Sequence, residues 1–451
     1  MKDLTTGNEF KVIFTFSVPI LIGNVFQQLY NTIDSIIVGK FLGKEALAAV
    51  GSSFNIMLLL VALASGLTLG TNILVSRYFG AKDFASVKKA IDTSYVFTLI
   101  LSILVTILGI CISKSILLLF SVPNEILPLA QTFLNIILLG TISSFFYNTI
   151  SGILRSLGNS KTPLYFLILS TLLNIVLDII FILLLNLGIG GTAFATVLSQ
   201  TFAFICSLIY LNKTYPQLKF DIRNINFDLA IFKQNLKIGL PSGVQQALVT
   251  CGFLILQFLV NRFGPDAMAA YAAAGKVDSF AEMPVLNLGI AISTFISQNM
   301  GANKYDRIKK GYISTLGIGF IISILASTIV ISFPKQFMNL FTNDSSVTQI
   351  GISYLSTIGL FYILYSTMVI TNGVIIGLGN SLIPMLATTT TLWGIQIPLS
   401  IFLSRKMGID GIWLAVPFGW LAGVIFRVTY FLSGRWKKKF STAQANLNLN
   451  N

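Results

Sequence analysis

Long apolar runs alternate with short polar segments along almost the entire chain. A transmembrane helix needs about 20 apolar residues, and twelve runs reach roughly that length between charged residues and Gly or Pro breaks. They lie at about 12–38, 47–72, 91–113, 129–153, 162–186, 190–212, 236–261, 270–299, 312–333, 347–375, 383–404 and 411–433. This pattern predicts an all-α polytopic membrane protein with twelve transmembrane helices.

The two halves of the chain are similar in sequence. RYFGAKDFASVKKA at 77–90 matches QNMGANKYDRIKKG at 298–311, and SGILRSLGNSKTP at 151–163 matches NGVIIGLGNSLIP at 372–384, both at a spacing of 221 residues. Because each half carries an even number of spans, both copies have the same orientation. This is a parallel repeat with a pseudo-twofold axis along the membrane normal, and it predicts two six-helix bundles.

The polar segments predict the boundaries of these bundles. We expect an N-terminal lobe at 1–212, a cytoplasmic linker at 213–235 and a C-terminal lobe at 236–440. The remaining residues, 441–451, are polar and are predicted to be disordered.

Composition and charge agree with this class. Only 10% of the 451 residues are charged, whereas soluble proteins carry about 25%. Of the 30 Lys and Arg residues, 21 fall on one side of the predicted membrane and seven on the other. By the positive-inside rule, both termini lie in the cytoplasm of a cell-membrane protein. The net charge of +14 therefore indicates topology and not a nucleic-acid partner.

Several classes of chemistry need residues that the chain lacks. There is no His and no GxxxxGK[ST] motif, so His-based metal sites, Ser-His hydrolysis and a P-loop ATPase are excluded. The three cysteines, Cys111, Cys206 and Cys251, lie singly in apolar runs, as small buried hydrophobic residues do. We expect a protein without a cofactor that is not an enzyme, acting as a monomer in the lipid bilayer.

Asp178 is unusual because it interrupts the apolar run from Leu164 to Leu187. A carboxylate at the bilayer centre costs about 2.5 to 3.5 kcal/mol on insertion scales. Asn174 lies one helical turn before it, on the same face. At the repeat spacing these two positions correspond to Ile395 and Leu399, so the second half keeps the helix without the acid. The fold therefore does not require Asp178, and a functional role is favoured.

Asp34 is a second acid that lacks a counterpart in the repeat. It ends a polar stripe of Gln27, Tyr30 and Asn31 on span 1, and its predicted depth is similar to that of Asp178 and of Thr196 on span 6. Oxygen atoms of Asp34, Asn174, Asp178 and Thr196 can converge there, with Thr192 close to Thr196. Oxygen ligands suit a hard cation such as Na⁺, and two close carboxyl groups can share a proton. Both coupling ions remain open.

The second half has its own intramembrane polar residues. Asp278 and Glu282 lie four residues apart on span 8, with Lys276 nearby, and Gln245 and Gln246 lie on span 7. One interpretation is that these acids and amides line a substrate cavity and attract cations. The other is an internal ion pair with Lys276 or another basic residue.

These features together resemble the multidrug and toxic compound extrusion (MATE) family. The similarity extends over about residues 10 to 435 and includes the twelve-span repeat and the RYFGAKD, LGNSKTP and QNMGA blocks. The resemblance implies an antiporter that exports amphipathic, often cationic drugs in exchange for Na⁺ or H⁺. It also implies a first-lobe cation site on the matching positions Asp34, Asn174, Asp178 and Thr196. One departure is that residues 236–261 contain no acid, where some members have one.

Two other functions are considered. A lipid-linked saccharide or lipid flippase of the same superfamily needs a basic cavity for phosphate. The spans contain Lys276 and Arg427 against the acids Asp34, Asp178, Asp278 and Glu282, which favours cationic cargo. An intramembrane prenyl transferase needs a DDxxD-like acid cluster, which the sequence lacks.

Overall fold

The computed structural model describes residues 3–119 and 122–436, and within them the regular secondary structure is helical. The predicted disordered tail lies outside the described residues. The helices of the first half are α1 (Glu9–Phe41), α2 (Gly43–Gly80), α3 (Phe84–Leu119), α4 (Leu127–Leu139), α5 (Thr141–Ser156), α6 (Lys161–Ile179) and α7 (Gly188–Thr214). A π-helical segment, Ile180–Leu184, continues α6.

The second half repeats this order. Its helices are α8 (Leu229–Asn261), α9 (Pro265–Gly301), α10 (Tyr305–Ser332), α11 (Pro334–Asn339), α12 (Ser345–Gly359), α13 (Tyr362–Gly377), α14 (Leu382–Thr388), α15 (Ile397–Met407) and α16 (Asp410–Leu432). A longer π-helical segment, Thr389–Gln396, joins α14 to α15.

The predicted twelve-span, all-α architecture is confirmed. Among the described residues, nine helices are long and apolar enough to cross a membrane, and two bent helix pairs each add one more. The remaining predicted span, 47–72, lies on α2, which has 38 residues. The bent pairs are α4 with α5, at 49°, and α12 with α13, at 54°. The breaks at Gly140 and Phe361 occupy equivalent positions of the repeat.

The connection between the halves is shorter than the predicted linker at 213–235. Helix α7 ends at Thr214 and α8 begins at Leu229, because Asp228 caps the new helix. The backbone N–H groups of Ala230 and Ile231 donate to Asp228 Oδ1 at 2.9 and 3.0 Å. A helix can extend beyond the membrane, so the charged residues that follow the cap do not mark a loop.

Packing divides the chain into two compact units, which we call the first unit (Val18–Gly243) and the second unit (Leu4–Ser17 and Val244 onward). This division differs from the sequence boundaries, because the beginning of α1 packs in the second unit. Leu4 N–H donates to Gln298 Oε1 at 3.1 Å. Arg307 Nη1 donates to Gly7 O at 2.8 Å and to Glu9 Oε1 at 3.0 Å. These bonds anchor the amino-terminal segment to the second unit.

The beginning of α8 belongs to the first unit by close packing on α2. A Cβ atom at Gly66 would collide with the backbone of Gly243, so only glycine allows the two helices to approach this closely. Asn235 Nδ2 donates to Thr71 Oγ1 at 2.7 Å one turn further on. Glycine contacts and an interhelical hydrogen bond therefore hold this segment in place.

Each unit has its own apolar core. That of the first unit is built largely from α2, α3 and α4, with Ala49, Leu117 and Leu134 among its buried residues. The core of the second unit contains the fully buried Trp413 and the tyrosines Tyr354 and Tyr362. Because lipid surrounds the outer faces, the many exposed Leu, Ile and Phe side chains are the expected membrane contacts.

Candidate cation site in the first unit

The predicted site residues lie on α1, α6 and α7 of the first unit. Helix α6 packs along α7, and Ser170 Oγ donates to the carbonyl oxygen of Ser199 at 2.9 Å across this contact. Asp178, Asn174 and Thr196 are 0%, 1% and 7% exposed. Buried polar side chains need partners to offset the loss of water. The contacts among these residues therefore determine what the site can bind.

Asp34 and Asp178 face each other across α1 and α6. Their carboxyl groups are within hydrogen-bonding reach, and each has a buried Oδ1 atom with no hydrogen-bond partner in the described residues. An ionised carboxylate accepts hydrogen bonds but cannot donate one. The two groups can therefore remain this close by sharing a proton or by coordinating a cation between them.

Asn174 links this pair to α7. In the amide orientation that satisfies its neighbours, Asn174 Nδ2 donates to Asp178 Oδ2 at 3.0 Å and its Oδ1 accepts from Thr196 N–H at 3.2 Å. The carboxyl group is thus positioned by a donor on its own helix and indirectly by the neighbouring helix.

Two hydroxyl groups complete the cluster. The hydroxyl oxygens of Tyr30 and Thr196 lie 3.2 Å apart and share a hydrogen bond. Thr192, one turn before Thr196, is fully buried, and its Oγ1 has no partner in the described residues. The site therefore presents carboxyl, amide and hydroxyl oxygens, a donor set that fits a hard monovalent cation or a proton.

The polar stripe on α1 reaches the site only in part. The structure brings Tyr30 and Asp34 together with Asn174, Asp178 and Thr196. Gln27 is exposed and Asn31 is half-buried, and the described contacts of the carboxyl groups involve neither. Gln27 lies two helical turns from Asp34, about 10 Å along the axis, which is too far to share one ligand.

The helix geometry beside the site is irregular. The π-helical segment begins two residues after Asp178, and π-bulges are frequent at functional sites. The first turn of α7 packs against this segment at Gly191, where a Cβ atom would lie 3.0 Å from Cβ of Phe181. A glycine at this position lets α7 approach the end of the acid-bearing helix.

The acids of the second unit are bound to tyrosines and not to Lys276. Asp278 accepts hydrogen bonds from the hydroxyl groups of Tyr362 at 2.7 Å and Tyr354 at 2.9 Å, and Glu282 pairs with the Tyr365 hydroxyl. Lys276 Nζ instead lies 5.7 Å from the ring centroid of Phe341.

The ion pair with Lys276 that the sequence left open is therefore not formed. Lys88–Asp92 and Arg307–Glu9 are ion pairs of the described residues, and neither involves an acid of α9. In the contacts described above, Asp278 and Glu282 are paired with tyrosine hydroxyl groups and not with a basic residue.

The two glutamines of α8 differ in environment. Gln245 Nε2 donates to Thr388 Oγ1 at 3.0 Å and to Asn372 Oδ1 at 3.3 Å, so its amide is used within the second unit. Gln246 is exposed. The sequence predicts that both line a substrate cavity. In the structure Gln245 is packed against its hydrogen-bond partners, whereas the side chain of Gln246 is exposed.

Comparisons with known proteins agree with this architecture. The MatE family model matches residues 19–180 and 241–402. The two matches are equally long, and the second begins 222 residues after the first.

Two Bacillus subtilis (strain 168) proteins are similar over most of their length. Probable multidrug resistance protein YpnP is 31% identical, covering 96% of this chain and 97% of the relative. Probable multidrug resistance protein YoeA is 30% identical, covering 94% and 93%.

Solved structures have the same fold. The crystal structure of MATE in the bent conformation is similar with a TM-score of 0.90 and 27% identity, covering 97% of this chain and 98% of the other. The outward-facing conformation of a multidrug resistance MATE family transporter of the MOP superfamily has the same TM-score and identity, covering 97% and 99%. With two copies of the family model matched across its two halves, the chain belongs to the MatE family.

Proposed function

We propose that this protein exports amphipathic, cationic compounds across the cell membrane in exchange for Na⁺ or H⁺. The observation that carries the proposal is the Asp34–Asp178 pair, in which Asp178 is fully buried and Asp34 half-buried and for which no basic partner is present among the described residues. The names of the similar Bacillus subtilis proteins, which describe them as probable multidrug resistance proteins, support export of drugs.

The pair provides a physical mechanism for coupling. Two ionised carboxylates at this separation repel each other in a low-dielectric environment, so the unoccupied site favours an arrangement that separates α1 from α6. A proton or a sodium ion removes the repulsion and favours the packed arrangement. An ion drives a conformational change only to the extent that it binds one state more tightly than the other. The contact between Asp34 and Asp178 is present in the packed arrangement and absent from the separated one, so the ion binds the packed arrangement more tightly.

Each neighbouring side chain has a defined part in that exchange. Asn174 positions the Asp178 carboxyl group through its amide hydrogen bond. Thr196 and Tyr30 supply hydroxyl oxygens beside the pair, which suit a partly dehydrated Na⁺. For proton coupling, the same hydroxyl groups stabilise whichever carboxyl group is ionised.

The second unit contributes attraction for cationic cargo. Asp278 and Glu282 place negative charge on one face of α9, and the tyrosine hydroxyl groups around them donate hydrogen bonds to it. Aromatic rings and carboxylates together favour organic cations. We propose that the transporter acts as a monomer in the bilayer, with both termini in the cytoplasm, as the charge distribution of the loops indicates.

Efflux from cells that lack their own drug pumps tests the function. Cells expressing the chain are loaded with a lipophilic fluorescent cation or with a neutral dye of similar size. We expect the cation to leave faster than from cells without the chain, and collapsing the Na⁺ and H⁺ gradients together to abolish the difference. Efflux that is unchanged by the collapse of both gradients would exclude antiport.

A further inference from the structure

Arg427 is a buried cation that the proposed ion exchange does not use. It lies on α16, five residues before the helix ends at Leu432, and is 3% exposed. A charged group inside the membrane region is costly unless something compensates it, and such residues usually mark a ligand pathway or a binding site.

The partners of Arg427 are neutral. Its Nε donates to Asn372 Oδ1 at 3.1 Å, its Nη2 to Thr388 Oγ1 at 2.9 Å and its Nη1 to the Gly423 carbonyl oxygen at 3.3 Å. The ion pairs Lys88–Asp92 and Arg307–Glu9 do not include it. The positive charge is therefore held by dipoles alone within the part of the chain that the structure describes.

The cluster has more donors than acceptors. A guanidinium carries five N–H groups, and the three bonds above leave one N–H on each terminal nitrogen without an acceptor among the described residues. Gln245 Nε2 donates to the same two side-chain oxygens, of Asn372 and Thr388. Two terminal N–H groups on one fork are the arrangement that binds a carboxylate or phosphate through two parallel hydrogen bonds.

The fold itself does not need this arginine. At the repeat spacing, Arg427 corresponds to Cys206 and Thr388 corresponds to Leu167, so the first half builds the equivalent helix contact without a charge. Gln245 and Asn372 are half-buried, which places the cluster just beneath the surface of the second unit.

We propose that Arg427, Asn372, Thr388 and Gln245 form a binding site for the oxyanion head group, phosphate or carboxylate, of an amphipathic ligand. The two unpaired guanidinium N–H groups bind the oxyanion, and the three neutral side chains hold the fork in place. This site is independent of the proposed cation exchange, since it lies in the other unit and its ligand has the opposite charge.

The chain carries its own reporter for this test. All four tryptophans, Trp393, Trp413, Trp420 and Trp436, lie in the second unit, so intrinsic fluorescence reports on this unit alone. Purified protein in neutral detergent is titrated with decyl phosphate and, separately, with decyltrimethylammonium. We expect a saturable fluorescence change with decyl phosphate and none with the cation. A saturable response of equal affinity for both compounds would overturn the site.

Variants assign the binding to the arginine. Arg427→Gln should bind decyl phosphate at least tenfold more weakly, whereas Arg405→Gln, which removes the same charge from an exposed position, should bind as the wild type does. Asn372→Asp provides a second variant that keeps the arginine paired. Its carboxylate forms an ion pair with the Arg427 guanidinium and takes the place of the ligand's oxyanion. Thermal stability should therefore be kept and decyl phosphate binding lost. Unchanged binding in Arg427→Gln or in Asn372→Asp would overturn the proposal.

Competition identifies the source of the oxyanion. Displacement of decyl phosphate by phosphatidylglycerol in nanodiscs would assign the site to a lipid head group. Displacement by inorganic phosphate or by a water-soluble carboxylate amphiphile, without an effect of the lipid, would assign it to transported cargo. Asp34→Asn should bind like the wild type in each arm, which separates this result from any failure of ion coupling.

Discussion

Asp34 on α1 and Asp178 on α6 place their carboxyl groups within hydrogen-bonding reach of each other in the first unit, where Asp178 is fully buried and Asp34 half-buried. Two acids at this distance are stable together only when a proton or a cation lies between them. The relationship is local to one half of the repeat, because the equivalent position of Asp178 in the second half is Leu399. The proposed ion coupling therefore belongs to the first unit.

The hydroxyl pair beside the acids should tune ion affinity. Tyr30→Phe and Thr196→Val each remove the 3.2 Å hydrogen bond between the two side chains, and a neutral hydrogen bond contributes about 0.5 to 1.5 kcal/mol. We expect each change to raise the ion concentration for half-maximal transport by about 2- to 12-fold. The double variant should show less than the sum of the two free-energy changes, since both remove one bond.

Tyr165→Phe is the matched control for this prediction, because Tyr165 is an exposed tyrosine of α6. It should transport with wild-type ion dependence. Fully additive effects of the two hydroxyl deletions would contradict a shared hydrogen bond.

Removing the amide of Asn174 should weaken the site without dismantling the helix. In Asn174→Leu, Asp178 Oδ2 loses its donor, and leaving a buried polar atom unsatisfied costs about 1 to 3 kcal/mol. The apparent ion affinity should fall accordingly, while the protein remains folded and inserted. Asn148→Leu, at an exposed position of α5, should have wild-type affinity in the same transport assay. Equal behaviour of the two variants would argue against the assigned role.

The close approach of α2 and α8 should be sensitive to a single methyl group. Gly66→Ala places a Cβ atom against the backbone of Gly243, and overpacking of this kind costs about 1 to 3 kcal/mol. We expect a lower thermal unfolding midpoint in detergent. Gly51→Ala, on the same helix with open space around the added atom, should keep or raise the midpoint. A Gly66→Ala variant as stable as Gly51→Ala would contradict the packing.

The proposed orientation can be tested by cysteine labelling. With Cys111, Cys206 and Cys251 replaced, a single cysteine is introduced at Lys82 or at Lys114, both exposed. A membrane-impermeant maleimide added to intact cells should label the variant at position 114 and should label the one at 82 only after the cells are opened. The reverse pattern would mean that the termini face outward.

Apolar patterning was sufficient to predict the twelve spans and the repeat, because a bilayer demands long apolar helices. The bends at Gly140 and Phe361 were not predictable from it, since hydropathy continues through both breaks. Both halves bend at the same place, so the bend belongs to the repeated fold.

The acid pair was predicted from the sequence because the second copy of the repeat lacks both acids. A polar residue that one copy lacks is not required by the shared fold, so a functional role is favoured. The spacing of residues along a helix does not predict which way a long side chain points. Lys276 lies within two residues of Asp278, yet its amine packs over Phe341. In the same way, Gln27 shares a helix face with Asp34 but lies too far along the axis to contact it.

Transport by purified protein in liposomes tests the central assignment most directly. Efflux of a lipophilic fluorescent cation is driven by an imposed Na⁺ gradient or by an imposed pH gradient. Wild type is compared with Asp34→Asn, Asp178→Asn and the control Asp306→Asn, which removes an exposed acid at the start of α10. We predict that one of the two gradients drives efflux in the wild type and in Asp306→Asn, and that both site variants lose this coupling. Full gradient-driven transport by Asp34→Asn would contradict the account.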